Sequence, residues 1–174
     1  DTRFYVLPED AERLTAVYSV TDTGLERAPD PGHMVGQGMY AKGPRKSFSG
    51  GAGIISTAED YAIFLEMMRR GGELDGIRIL SPKTVQLMTV DHISSVPENG
   101  GLEFGLGFSI REDLGDTGLP ASVGEYGWGG AYHTTYWVDP AENLVVVYLT
   151  QVLPATGLDD TGKVRALIYQ ALTE

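Results

Sequence analysis

The chain has 174 residues, 42% hydrophobic and 21% charged, which is enough to enclose a core in one globular domain. Its net charge of −11 is the wrong sign for a nucleic-acid surface, which needs clustered Lys and Arg. The absence of cysteine removes disulfides, thiolate metal ligands and a cysteine nucleophile.

No apolar run reaches the length of a bilayer span, and the opening DTRFYVLPED lacks the basic and apolar regions of a signal peptide. No compartment is therefore addressed. The first residue is not Met, so the chain is expected to be a processed product or a piece of something longer.

Residues 1–48 read as a loop-rich lead-in, punctuated by TDTG, PDPGH and KGP. Within it, Pro8 to Tyr18 has helical spacing, with Ala11, Leu14 and Val17 or Tyr18 on one side. Residues 49–98 read as helical. Ser56 or Thr57 caps a first helix, Glu59 completes a capping box with Ser56, and Gly71-Gly72 ends it after Arg69 and Arg70. Tyr61, Phe64, Leu65 and Met68 share one face. A second helix starts at Ser81-Pro82 and presents Val85, Leu87 and Met88. The methionines on these faces are core filler.

Residues 99–174 change period. Phe104 to Ile110, Ser122 to Trp128, His133 to Val138 and Leu144 to Thr150 read as strands, the last two joined by DPAEN as an antiparallel hairpin. The closing DDTGKVRALIYQALTE is an acid-capped helix with Val164, Leu167, Ile168 and Ala171 on one face. The expected fold class is α+β, an antiparallel sheet flanked by helices.

Motifs for chemistry are sparse. The three histidines, His33, His92 and His133, have no partners at metal-ligand spacing, so no metal or other cofactor is expected. SGGAGIIST lacks a phosphate-loop Lys and the G-x-G-x-x-G order, so it reads as a tight turn before a helix. No G-x-S-x-G, Ser-x-x-Lys or Tyr-x-Asn occurs, so no nucleophile is recognisable. The remaining feature is Trp128-Gly129-Gly130, inside EYGWGGAYHTTYWVDP. Taken alone, its glycine pair reads as a bulge that bends a strand.

Three ordered stretches then point to a family. FSGGAGIISTAEDYAIFLEMMRRGGELDGIRILSPKTVQLM, EFGLGFSI and YGWGGAYHTTYWVDPAENLVVVYLTQ together resemble the C-terminal portion of the serine β-lactamase-like superfamily. The resemblance is to its branch of class C β-lactamases, D-alanyl-D-alanine carboxypeptidases and family VIII carboxylesterases. It implies the C-terminal part of a β-lactamase/transpeptidase-like fold.

Of the three motifs this family uses, only the third has a match, at Trp128-Gly129-Gly130. Ser-x-x-Lys and the catalytic Tyr motif normally lie upstream. The resemblance therefore implies a C-terminal fragment of a serine hydrolase, inactive alone and needing the missing N-terminal half of its domain. It assigns Trp128, Gly129 and Gly130 to the substrate-lining strand and the Ala131 amide to the oxyanion hole.

Trp128 stands where β-lactamases carry a Lys. Indole offers an apolar face and one N–H donor. An uncharged ester or amide is then the expected small-molecule substrate, with a carboxylesterase as the parent activity. A β-lactamase or D-amino-acid peptidase parent, and a non-catalytic scaffold, are the alternatives. Without its other half, the sheet is expected to leave an open edge through which two copies pair.

Overall fold

The computed structural model describes residues 1–30, 37, 48–96, 98, 100–115 and 117–173. His33 and part of the loop-rich lead-in lie outside the described residues. The chain folds as two compact units. One comprises Asp1–Tyr61, Gly130–Thr134 and Leu149–Gly157; the other comprises Ala62–Gly129, Thr135–Tyr148 and Leu158–Glu174.

In the first unit, the helix expected over Pro8 to Tyr18 is only a 3-10 stretch, Pro8–Arg13. Tyr18 instead begins a strand. β1 (Tyr18–Thr21) pairs antiparallel with β2 (Gly24–Arg27), a hairpin the sequence reading assigned to loop. β2 is exposed along its length, so it carries no alternation of apolar and polar residues. Gln37 anchors this hairpin region from a buried position. Its side-chain oxygen accepts the Val17 amide at 2.9 Å and its amide group donates to the Ala28 carbonyl at 3.1 Å.

α1 spans Ala58–Arg69. Thr57 caps it: its hydroxyl accepts the Asp60 amide at 3.1 Å, one of the orphan donors of a first turn. The expected box between Ser56 and Glu59 does not form. Ser56 instead lies one residue too early, hydrogen-bonded to Thr2 at 2.8 Å.

In the second unit, Leu65, Met67 and Met68 of α1 are buried, whereas Phe64 is 38% exposed despite sharing the expected face. Gly71 and Gly72 end the helix with φ of 72° and 94°, and their amides return to the Met68 and Met67 carbonyls. A small hairpin follows, β3 (Glu73–Leu74) and β4 (Ile77–Arg78), turned by Asp75-Gly76 with both φ positive. α2 (Pro82–Met88) starts as its sequence predicts, with the Ser81 hydroxyl accepting the Thr84 amide at 3.0 Å.

The main sheet is antiparallel, in the order β5 (Ser109–Ile110), β6 (Tyr126–Gly129), β7 (Thr135–Asp139) and β8 (Leu144–Tyr148). The strand expected from His133 starts later, at Thr135, because His133 has φ of 62° and belongs to the turn before it. Register places Trp137 opposite Gly127 and Tyr136 opposite Trp128, so alternate residues divide between two faces. α1 lies toward the Tyr126 face, where the Arg69 guanidinium acts on the Tyr126 hydroxyl. Arg69 also donates to Asn143 in the β7–β8 turn at 2.8 Å.

α3 (Asp160–Gln170) lies against the opposite face, where the Arg165 guanidinium sits 4.1 Å from the centre of the Trp137 ring. Its expected apolar face is wrong in part: Leu167 is 60% exposed. Polar side chains dock this helix instead. Arg165 pairs with buried Glu125 at 2.6 Å, and the Tyr169 hydroxyl lies 2.7 Å from carboxylate oxygens of both Glu125 and fully buried Asp139, which share its single proton. Burial and those two carboxylates push the Tyr169 hydroxyl far above the ordinary phenol range.

Candidate functional site

Gly127, Trp128 and Gly129 are the last three residues of β6, with Ser109 Oγ donating to the Gly127 carbonyl at 2.8 Å. Gly127 is sterically obligatory: a Cβ there would overlap the Tyr136 carbonyl and approach the Trp137 Cα to 2.9 Å. Its bare backbone lets β7 come close enough for Trp137 to be enclosed, at 2% exposure.

Trp128 points to the other face and remains 46% exposed. Its ring meets Phe104 edge-to-face, with centroids 4.8 Å apart and planes at 84°. Further along this face, Phe108 packs edge-on against Tyr126 at 5.2 Å and Tyr136 at 6.3 Å. Tyr126 is buried, and that burial pushes its hydroxyl above the usual phenol range. The hydroxyl finds no hydrogen-bond partner among the described residues.

A concavity of about 180 Å³ lies in this second unit, lined by Gly127, Trp128, Gly129, Arg111, Glu125 and Arg165 among others. Glu125 faces both cations of its lining, Arg165 at 2.6 Å and Arg111 at 3.8 Å, so the lining holds one more cation than anion.

Gly130 and Ala131 belong to the turn Gly130–Thr134 in the first unit. The Gly130 amide donates to the Thr134 carbonyl at 2.8 Å, and the His133 amide donates to the Gly130 carbonyl at 3.0 Å. A Cβ on Gly130 would collide with Thr134 Oγ1, so this glycine has a local steric reason of its own. Thr150 Oγ1 fixes the turn by donating to the His133 carbonyl at 2.7 Å. Ala131 is exposed, and its amide has no acceptor among the described residues. The four residues singled out in the sequence are thus the end of one strand and the start of the following turn.

Sequence reading missed Gly127, Phe104 and Asp91. Asp91 Oδ1 accepts the Phe104 amide at 2.8 Å and the Ile93 amide at 3.2 Å, while Oδ2 accepts the Ser94 amide at 2.9 Å. The Ser94 side chain and these three amides hold the Asp91 carboxyl well below its ordinary range. Asp followed three residues later by Ser is a readable turn signal. Among the described residues no group of three metal-ligating side chains occurs, and no helix is long and apolar enough to cross a membrane.

Residues 1–170 match the Beta-lactamase family model. The chain belongs to the beta-lactamase family. An uncharacterized protein of Mycobacterium tuberculosis is 30% identical over 178 residues, covering 94% of this chain and 42% of that relative. A protein of Escherichia coli O157:H7, named by inference as a D-alanyl-D-alanine carboxypeptidase, is 29% identical over 108 residues, covering 59% of this chain and 23% of its own length.

Among solved structures, EstCE1, described as a hydrolase with promiscuous acyltransferase activity, is 27% identical with a TM-score of 0.77, over 97% of this chain and 46% of its own. A simvastatin synthase variant from Aspergillus terreus is 24% identical with a TM-score of 0.74, over 98% of this chain and 46% of its own, a likeness of fold. This beta-lactamase family chain spans less than half the length of these relatives. Its α+β architecture, an antiparallel sheet between helices, is the C-terminal part of that fold.

Proposed function

We propose that the protein containing this chain is a serine hydrolase that cleaves small uncharged esters through an acyl-serine intermediate. The serine and its base would come from sequence outside this chain. The observation that carries the reading is the Ala131 amide, exposed and without an acceptor, immediately after Trp128-Gly129-Gly130. In that role the N–H would donate to the carbonyl oxygen as negative charge develops on it, usually a large share of the catalytic effect in acyl transfer.

Gly129 and Gly130 would keep the strand beside the acyl group free of side chains. Trp128 would present an uncharged wall, which favours a neutral ester over an anionic β-lactam. EstCE1, a hydrolase with promiscuous acyltransferase activity, supports an acyl-transfer reading, and the carboxypeptidase-named relative makes a D-alanyl-D-alanine peptide the comparison substrate.

The test compares this chain with the full-length gene product on a p-nitrophenyl ester, a D-alanyl-D-alanine peptide and a chromogenic β-lactam. Turnover of the ester by the full-length protein, blocked by a serine-directed phosphonate, is expected, with none from this chain alone. Phosphonate-sensitive turnover by this chain would refute the assignment of the nucleophile to other sequence. The partner reading is likewise a proposal: the chain alone pairs through the β8 edge, and a concentration-independent monomer mass in light scattering would refute it.

A further inference from the structure

We propose that Phe104 is a specificity-determining positioning residue: it props the Trp128 indole so that the two rings form one apolar wall selecting esters with an extended acyl chain. This rests on the ester-hydrolase reading above.

Trp128 is the open end of an aromatic row. Tyr126, two residues earlier on the same face, is 3% exposed, whereas Trp128 is 46% exposed. A half-exposed indole on a strand end has several rotamers available. The edge-to-face contact at 4.8 Å and 84° selects one of them.

Phe104 can do this because its own backbone is fixed on both sides. Its amide donates to Asp91 Oδ1 at 2.8 Å, and its carbonyl accepts the His92 amide at 2.9 Å. The next two amides are also engaged: Gly105 donates to the Phe108 carbonyl at 2.8 Å, and Leu106 donates to the Met88 carbonyl at 2.9 Å. Gly105 runs so close to the end of α2 that a Cβ on it would overlap the Met88 carbonyl. The base of the Phe104 ring is therefore tied to a helix end.

The two rings of the wall are apolar on their faces. Asp91, the carboxylate that pins Phe104, is occupied by the amides of Ile93, Ser94 and Phe104. Leu106, on the same pinned segment, is 50% exposed. A hydrocarbon chain is the ligand such a surface accepts, because burying it costs neither side a hydrogen bond.

The experiment uses the full-length gene product and its Phe104→Ala, Phe104→Leu and Phe104→Tyr variants, with p-nitrophenyl acetate and p-nitrophenyl octanoate as substrates. Phe104→Ala is expected to raise KM for octanoate about 10-fold, with kcat within about twofold and acetate KM within about twofold. Phe104→Leu, which keeps apolar bulk without the ring, is expected to fall between, and Phe104→Tyr to retain wild-type selectivity. Acrylamide quenching of Trp128 fluorescence, with Trp128→Phe as the control for buried Trp137, is expected to rise in Phe104→Ala and stay unchanged in Phe104→Tyr.

Equal loss of kcat on both esters, unchanged KM values, or a Phe104→Tyr variant that behaves like Phe104→Ala would overturn the proposal. A wild-type protein that hydrolyses neither ester overturns the hydrolase reading first and this inference with it. The wild-type control therefore tells the two failures apart.

Discussion

Replacing Arg165 by Met should be among the costliest changes in the second unit. Glu125 is 5% exposed and has the Arg165 guanidinium at 2.6 Å, Arg111 at 3.8 Å and the Tyr169 hydroxyl at 2.7 Å. Removing one member of a buried ion pair costs about 3–5 kcal/mol, because the remaining charge stays desolvated. Arg111 remains nearby, which moves the expectation to about 3 kcal/mol. Losing the cation over Trp137, 4.1 Å from the ring centre, adds about 1 kcal/mol.

The single variant should therefore lose about 4 kcal/mol, and Glu125→Gln about 3 kcal/mol. The double variant leaves neither partner's charge behind, so it should lose about 4 kcal/mol rather than the sum of about 7. With a urea slope of about 2 kcal/mol per M, the Arg165→Met midpoint falls by about 2 M. Urea titration followed by tryptophan fluorescence measures all four proteins, with equal slopes required for the comparison. A double variant within about 0.5 kcal/mol of the summed singles would refute a coupled, desolvated pair.

Other outcomes test separate points. Gly130→Ala should destabilise by about 1–3 kcal/mol through its collision with Thr134 Oγ1, and adding Thr134→Ala should recover most of that loss. If the bare backbone also serves an acyl slot, ester turnover by the full-length double variant stays depressed; full recovery would assign Gly130 to turn closure alone. Tyr126→Phe should leave stability unchanged or raise it, as measured by thermal melting, because the hydroxyl is buried without a partner among the described residues. The side chains of Arg69 and then Arg70 hold the Glu66 carboxyl at about 2, below its ordinary 4.5. Its contribution to stability is thus fully present above pH 4.5 and lost as pH falls toward 2, so Glu66→Gln should flatten the urea midpoint across that window.

Much of the second unit was legible because its signals are local. Ser81-Pro82 announced α2, and the β-branched run Leu144–Tyr148 announced β8. Asp75-Gly76 was an equally strong hairpin signal that went unused. The β1–β2 hairpin left less trace, since an exposed strand needs no apolar alternation. The face of α3 was misread because its docking residues are Arg165 and Tyr169, which periodicity of apolar residues cannot register. At the candidate site, Trp128 and the glycines stood out as local punctuation. Phe104 did not, because its partnership with Trp128 depends on a loop pinned by a carboxylate in another segment.

That pin has a consequence for how the surroundings of the aromatic wall can vary. Asp91 and Phe104 are thirteen residues apart in sequence yet joined at 2.8 Å, so the intervening chain closes a loop whose ends are fixed. Doubling the length of such a loop costs only about 0.6 kcal/mol in closure entropy. Insertions between the two anchors can therefore reshape the border of the wall while its two rings keep their places. Under the ester-hydrolase proposal, that border is where changes in loop length would alter substrate range without rebuilding the sheet.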